Sequence, residues 1–207
     1  MAQMGAMNMQ MIARSLLVFS LTGSGTALGI MALGNALPML FFSLFGGVIA
    51  DRVQKKYVLL LGQVASALIS LAVALTLQVG LLSVDKSGSW MILIVAGLVQ
   101  GTVMGLMMPS RQAIIAEIVP DEDLMNAVAL NMFGMNIFRI LGPALAGVLI
   151  GWLGYQSVYY VMTAMYLIAV FFILLMPLTG TTSLQGKGAL ADVADGLRYV
   201  RHDRTIV

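Results

Sequence analysis

Cysteine is absent from the 207 residues, histidine occurs once, and acids and bases together make up only 10% of the chain. Without cysteine there is no disulfide framework, no thiolate nucleophile and no Cys-based metal site. The lone His202 sits among the charges of the tail, which is a solvated rather than a catalytic setting. Also missing are His-Glu-x-x-His, a Walker loop, Gly-x-Ser-x-Gly and a dinucleotide fingerprint. The chain is therefore read as a non-enzyme that needs no cofactor and no metal. Charge is far below the roughly 25% of soluble domains, and apolar residues, at 60%, exceed their usual ~45–50%. A soluble core of this length cannot hide so much apolar surface, so the bilayer is the expected solvent and partner. The net charge of +2 is no nucleic-acid footprint; it records where a few bases sit.

What is present is a series of long apolar runs. Six candidate spans fall at about 1–21, 27–49, 57–82, 90–113, 126–150 and 155–176, each near the ~20 residues that cross a bilayer. Short linkers make consecutive helices antiparallel neighbours. The first span starts at Met1 without a polar leader or the basic region of a signal peptide, which points to a truncated cytoplasmic end or a misplaced start. One set of loops carries Arg52, Lys55, Lys56, Arg111, Lys187, Arg198, Arg201 and Arg204, and the other carries only Lys86. The positive-inside rule then places both termini in the cytoplasm. After the fourth span, Glu117 to Asp123 forms an acidic connector in which Pro120 ends one helix and the acids favour the next.

The turn Gly46-Gly47-Val48-Ile49-Ala50-Asp51-Arg52-Val53-Gln54-Lys55-Lys56 organises the chain. Glycine permits a tight bend and close helix contact there, and the charges break out into water. Gly47, Asp51, Arg52, Lys55 and Lys56 resemble the signature turn between the second and third spans of the major facilitator superfamily. The wider stretch from Leu21 through Pro38 to Lys56, and that from Pro109 through Gly147, resemble its drug and siderophore exporters. Gln54 departs from the glycine that many members carry. The resemblance implies an all-α membrane protein, a six-span half-bundle built as a three-plus-three inverted repeat. Gly47-Val48-Ile49 and Gly147-Val148-Leu149 echo one another as such a repeat would.

The same resemblance divides the chain into a bundle over 1–176 and a linker over 177–207. In the linker, Leu190, Val193, Leu197 and Val200 fall at helical spacing, as in an amphipathic helix on the membrane surface. The chain stops where a seventh span would begin, so it resembles the amino-terminal half of an exporter.

Polar residues inside spans are expensive and hence informative. Gln3, Met7, Gln10 and Arg14 share one face of the first span, and Gln100, Met104, Met107 and Arg111 repeat the arrangement on the fourth. In the resembled family these two spans line the central cavity, which makes the stripes cavity walls. The alternative is Gln bonded to neighbouring helices and Arg reaching the headgroups. On the fifth span Asn131 and Arg139 share a face with Gly142, with Asn136 at its edge. Arg139 is near mid-span, where a guanidinium needs an acid, carbonyls, water or an anionic substrate, and no acid occurs in the middle of any span. Gly142, Pro143 and Gly147 resemble the fifth-span antiporter motif, although Phe138 and Ala146 replace two of its small residues.

The resemblance implies proton-coupled export of a small amphiphilic molecule across the cytoplasmic membrane by alternating access. The partner would be a second six-span half or a second copy of this chain. A truncated remnant or an interaction scaffold that transports nothing is the alternative from a different class.

Overall fold

The computed structural model describes residues 2–83 and 88–176, apart from the side chains of Asp51 and Ala116. Lys86 and the surface helix expected beyond residue 177 lie outside the described residues. Six α-helices follow one another: α1 (Ala2–Thr22), α2 (Gly25–Arg52), α3 (Lys55–Gln78), α4 (Met91–Ile118), α5 (Leu124–Leu153) and α6 (Tyr155–Leu175). A short 3-10 helix, Asp121–Asp123, connects α4 to α5 behind Pro120, where the acidic connector is expected. No strand occurs among the described residues.

Helices α2 to α6 are long and apolar enough to cross a membrane by length and composition. Helix α1 has the length, but Gln3, Asn8, Gln10 and Arg14 dilute its apolar character. Several boundaries differ from the expected ones: α2 and α5 run a few residues longer at each end, and α4 continues to Ile118 rather than ending near residue 113. Helix α3 ends at Gln78 rather than near residue 82, because Gly80 takes φ +69° and the chain turns back, with the Leu81 amide donating to the Thr76 carbonyl. Nor do Gly46 and Gly47 make the bend after the second run. They are helical within α2, which continues to Arg52, and the turn falls at Val53 and Gln54. What Gly46 supplies is close contact, since a Cβ there would lie 2.5 Å from the Gly105 carbonyl oxygen.

Packing follows a regular plan. Helix α2 lies against α4, α1 against α5 and α6, and α3 against α4 and α6. Small residues set the closest of these contacts. A Cβ on Gly101 would meet the Asn35 carbonyl oxygen at 2.2 Å, and one on Gly142 would meet Asn8 Cβ at 2.7 Å. Helix α5 runs through Pro143 and α2 through Pro38 without ending.

The surface is unusually apolar, and several polar side chains are buried among the apolar ones. Gln63, Ser66, Ser70, Gln100 and Ser110 are buried, while Leu37, Leu40, Phe41, Leu167 and Phe172 are exposed. An apolar jacket around an interior that mixes apolar clusters with polar side chains is the arrangement that hydrocarbon stabilises.

Candidate functional site

The two expected stripes meet. A cavity of about 520 Å³ lies between α1 and α4, and Gln3, Met7, Gln10 and Arg14 line it together with Gln100, Met104, Met107 and Arg111. Helix spacing brings each set to one face, and the absence of close α1–α4 packing leaves the space between them. Helices α2 and α5 close the sides with Met31, Asn35 and Met135.

Methionine sulfur is the acceptor for much of the wall. Gln3 Nε2 and Gln63 Nε2 both donate to Met107 Sδ, at 3.8 and 4.0 Å, and Arg111 Nη1 donates to Met4 Sδ at 3.3 Å. Thioethers are weak, polarizable acceptors, so these bonds hold side chains in place without neutralising charge. Gln100 Nε2 donates to Ser66 Oγ at 3.1 Å, and Tyr166 Oη donates to Gln10 Oε1 at 3.4 Å.

Arg14 has a different setting. Its residue is 5% exposed, and Nε and Nη2 have no hydrogen-bond partner among the described residues. Its Nη1 packs over Gly97, where a Cβ would stand 3.4 Å away. The Tyr159 hydroxyl lies beside the guanidinium but outside hydrogen-bonding geometry. No carboxylate lines the cavity among the described residues.

The charged turn forms a second cluster at one end of the bundle. Lys55 is buried at the start of α3 and pairs with Glu117 near the end of α4. Lys56 Nζ donates to the Leu174 carbonyl at 2.9 Å and also to the Met176 carbonyl, covering the last turn of α6. Arg52 is exposed, and Asp51 falls in the final turn of α2. A Cβ on Gly47 would meet nothing within 4 Å.

Asn131, Asn136 and Arg139 do not line the cavity. Asn131 Nδ2 donates to Met135 Sδ at 3.9 Å, and Asn136 Nδ2 donates to the Met132 carbonyl within its own helix. Arg139 is exposed, one turn beyond Met135 on the face that borders the cavity. Gly142 supports the α1–α5 contact, Pro143 stays within α5, and Gly147 faces open space.

Sequence reasoning missed the polar faces behind the cavity wall. Gln63, Ser66 and Ser70 on α3, and Tyr159, Thr163 and Tyr166 on α6, are all buried. Their i, i+3 or i+4, i+7 spacing within apolar runs is the signal that could have found them.

Comparison with known proteins agrees with this architecture. Over 192 residues the chain is 23% identical to the uncharacterized MFS-type transporter YfiS of Bacillus subtilis, covering 90% of this chain and 43% of that protein. Over 151 residues it is 28% identical to the staphyloferrin A transporter of Staphylococcus aureus, covering 73% of this chain and 36% of that protein. The match thus spans less than half the length of either relative. The description of the transmembrane secretion effector family fits residues 1–207. The chain belongs to that family, within the major facilitator superfamily, and is a multi-pass membrane protein.

Proposed function

We propose that this chain forms one six-span half of an exporter that carries small amphiphilic molecules by alternating access around the α1–α4 cavity. The observation that carries this reading is the meeting of the two polar stripes in one cavity bounded by methionine. Flexible thioethers suit varied apolar surfaces, while glutamine and arginine fix polar groups. A siderophore-type substrate is one member of this class, in keeping with the relative named for staphyloferrin A.

In this reading α1 is the first span, its polar face turned to the cavity rather than to lipid. An inverted repeat relates α1–α3 to α4–α6. The packing supports it: exchanging α1 with α4, α2 with α5 and α3 with α6 turns the α1–α5 contact into α4–α2 and α1–α6 into α4–α3. The end that gathers Arg52, Lys55 and Lys56 is cytoplasmic, in the cytoplasmic membrane, by the positive-inside rule. Asp51 and the bases beside it form the gate, Gly142-Pro143 and Gly147 serve antiport, and the proton gradient drives export. A second six-span bundle, or a second copy of this chain, covers the exposed α5 face that carries Asn131, Asn136 and Arg139.

The test is efflux of a panel of fluorescent amphiphiles from cells expressing the chain alone or with a second half-bundle. Asp51→Asn and Arg139→Ala are compared at matched membrane levels. Gradient-dependent efflux that both variants lose supports the reading. Efflux unaffected by either variant, or none with either partner arrangement, contradicts it.

A further inference from the structure

We infer that the cavity docks an anionic group of its ligand — carboxylate, sulfonate or phosphate — on the Arg14 guanidinium. This rests on the cavity being the transport site and adds the charge class of what enters it. A buried guanidinium ordinarily meets acids or carbonyls, because an unmatched charge in low dielectric is costly. Arg14 meets neither at Nε or Nη2 among the described residues, although it is nine-tenths buried and lines the cavity.

Gly97 provides the room for Nη1, Tyr159 stands beside the guanidinium, and the Tyr166 hydroxyl is committed to Gln10, so none of these supplies an anion. The two N–H donors without partners lie in one plane, the fork that binds a carboxylate or phosphate; both are covered in this structure, so docking requires the guanidinium to turn toward the cavity.

The rest of the cavity points the same way. Its second cation, Arg111, is held by a thioether rather than an acid, and no carboxylate lines the wall among the described residues. The field inside is therefore positive, which disfavours cationic amphiphiles and attracts anionic ones. Met4, which holds Arg111, is ten residues from Arg14 along α1, or ~15 Å at the helical rise. The apolar body of a ligand anchored at Arg14 would lie along Met7, Met104 and Met107 toward that second charge.

The charge could come from a solute or from an anionic lipid headgroup, and the experiment separates them. The chain is placed in phosphatidylcholine nanodiscs and titrated with dansylglycine, its neutral analogue dansylglycinamide, and cationic dansyl-ethylenediamine, followed by dansyl emission. Dansylglycine is expected to bind at least about tenfold more tightly than the amide. Arg14→Gln should abolish that preference, and Arg14→Lys should restore part of it. An unchanged melting curve shows that the Gln variant is folded. Loss of dansylglycine binding when phosphatidylglycerol is included identifies the headgroup as the natural occupant, and no loss identifies a solute. Equal binding of the three probes, or a preference that survives Arg14→Gln, overturns anion docking while leaving the cavity reading intact. Binding of none removes the cavity reading and this inference together.

Discussion

Arg111 donates through Nη1 to the thioether sulfur of Met4 at 3.3 Å, joining the C-terminal part of α4 to the start of α1 across the proposed transport cavity. A guanidinium held by sulfur keeps its full charge, so one contact both braces two helices and leaves the cavity electropositive. Met4→Leu keeps the volume and removes the acceptor. The expected cost is about 0.5–1.5 kcal/mol, read as a lowered melting temperature in detergent. Arg111→Met in the same background should add little further loss. A Met4→Leu protein as stable as the parent would show that the bond contributes nothing.

The glycines of α2 and α4 should separate sharply under substitution. A Cβ on Gly105 would lie 2.6 Å from the Met39 carbonyl oxygen, whereas one on Gly47 meets nothing within 4 Å. Gly105→Ala should force α2 from α4 and cost about 1–3 kcal/mol. Gly47→Ala should be neutral or slightly stabilising, since alanine favours a helix by up to about 1 kcal/mol over glycine. Thermal melts of the two variants check the contrast.

Lys55 and Glu117 form a pair with one buried and one half-buried partner, tying α3 to α4. Lys55→Met alone leaves the carboxylate without its cation, and the expected loss is about 1.5–3 kcal/mol. The double variant Lys55→Met with Glu117→Leu should recover most of that loss. A double-mutant cycle with no coupling energy would mean the pair is incidental.

Lys56 covers the last carbonyls of α6 through Leu174 and Met176. Lys56→Ala should leave those carbonyls to water and fray the final turn. Hydrogen exchange is expected to quicken over residues 170–176 and to stay unchanged at the α6 start. Uniform exchange in both proteins would contradict the capping role.

Much of the bundle was legible because the bilayer imposes a length and a polarity on every span. Helix positions followed from that, as did the i, i+4, i+7, i+11 stripes of α1 and α4, since a polar residue in hydrocarbon must face something other than lipid. Other features were hidden. Gln63 and Tyr159 stand behind the wall, and only tertiary packing shows that Met107 accepts from Gln63 while Tyr159 flanks Arg14. The pairing of Lys55 with Glu117, 62 residues apart, depends on α3 and α4 packing side by side, which local spacing does not specify. The bend assigned to Gly46 and Gly47 failed for a related reason: in α2 glycine serves close approach to α4, and the helix continues past it.

The central claim is that α1 and α4 enclose a water-reachable path while α2 and α6 present an apolar face to lipid. Because the chain has no cysteine, single substitutions can be read without background. Met7→Cys, Met104→Cys, Leu40→Cys and Phe172→Cys would be placed in membranes and treated with a membrane-impermeant maleimide. Labelling is expected at Met7→Cys and Met104→Cys and not at Leu40→Cys or Phe172→Cys. Equal labelling at all four positions, or labelling confined to Leu40→Cys and Phe172→Cys, would contradict the account.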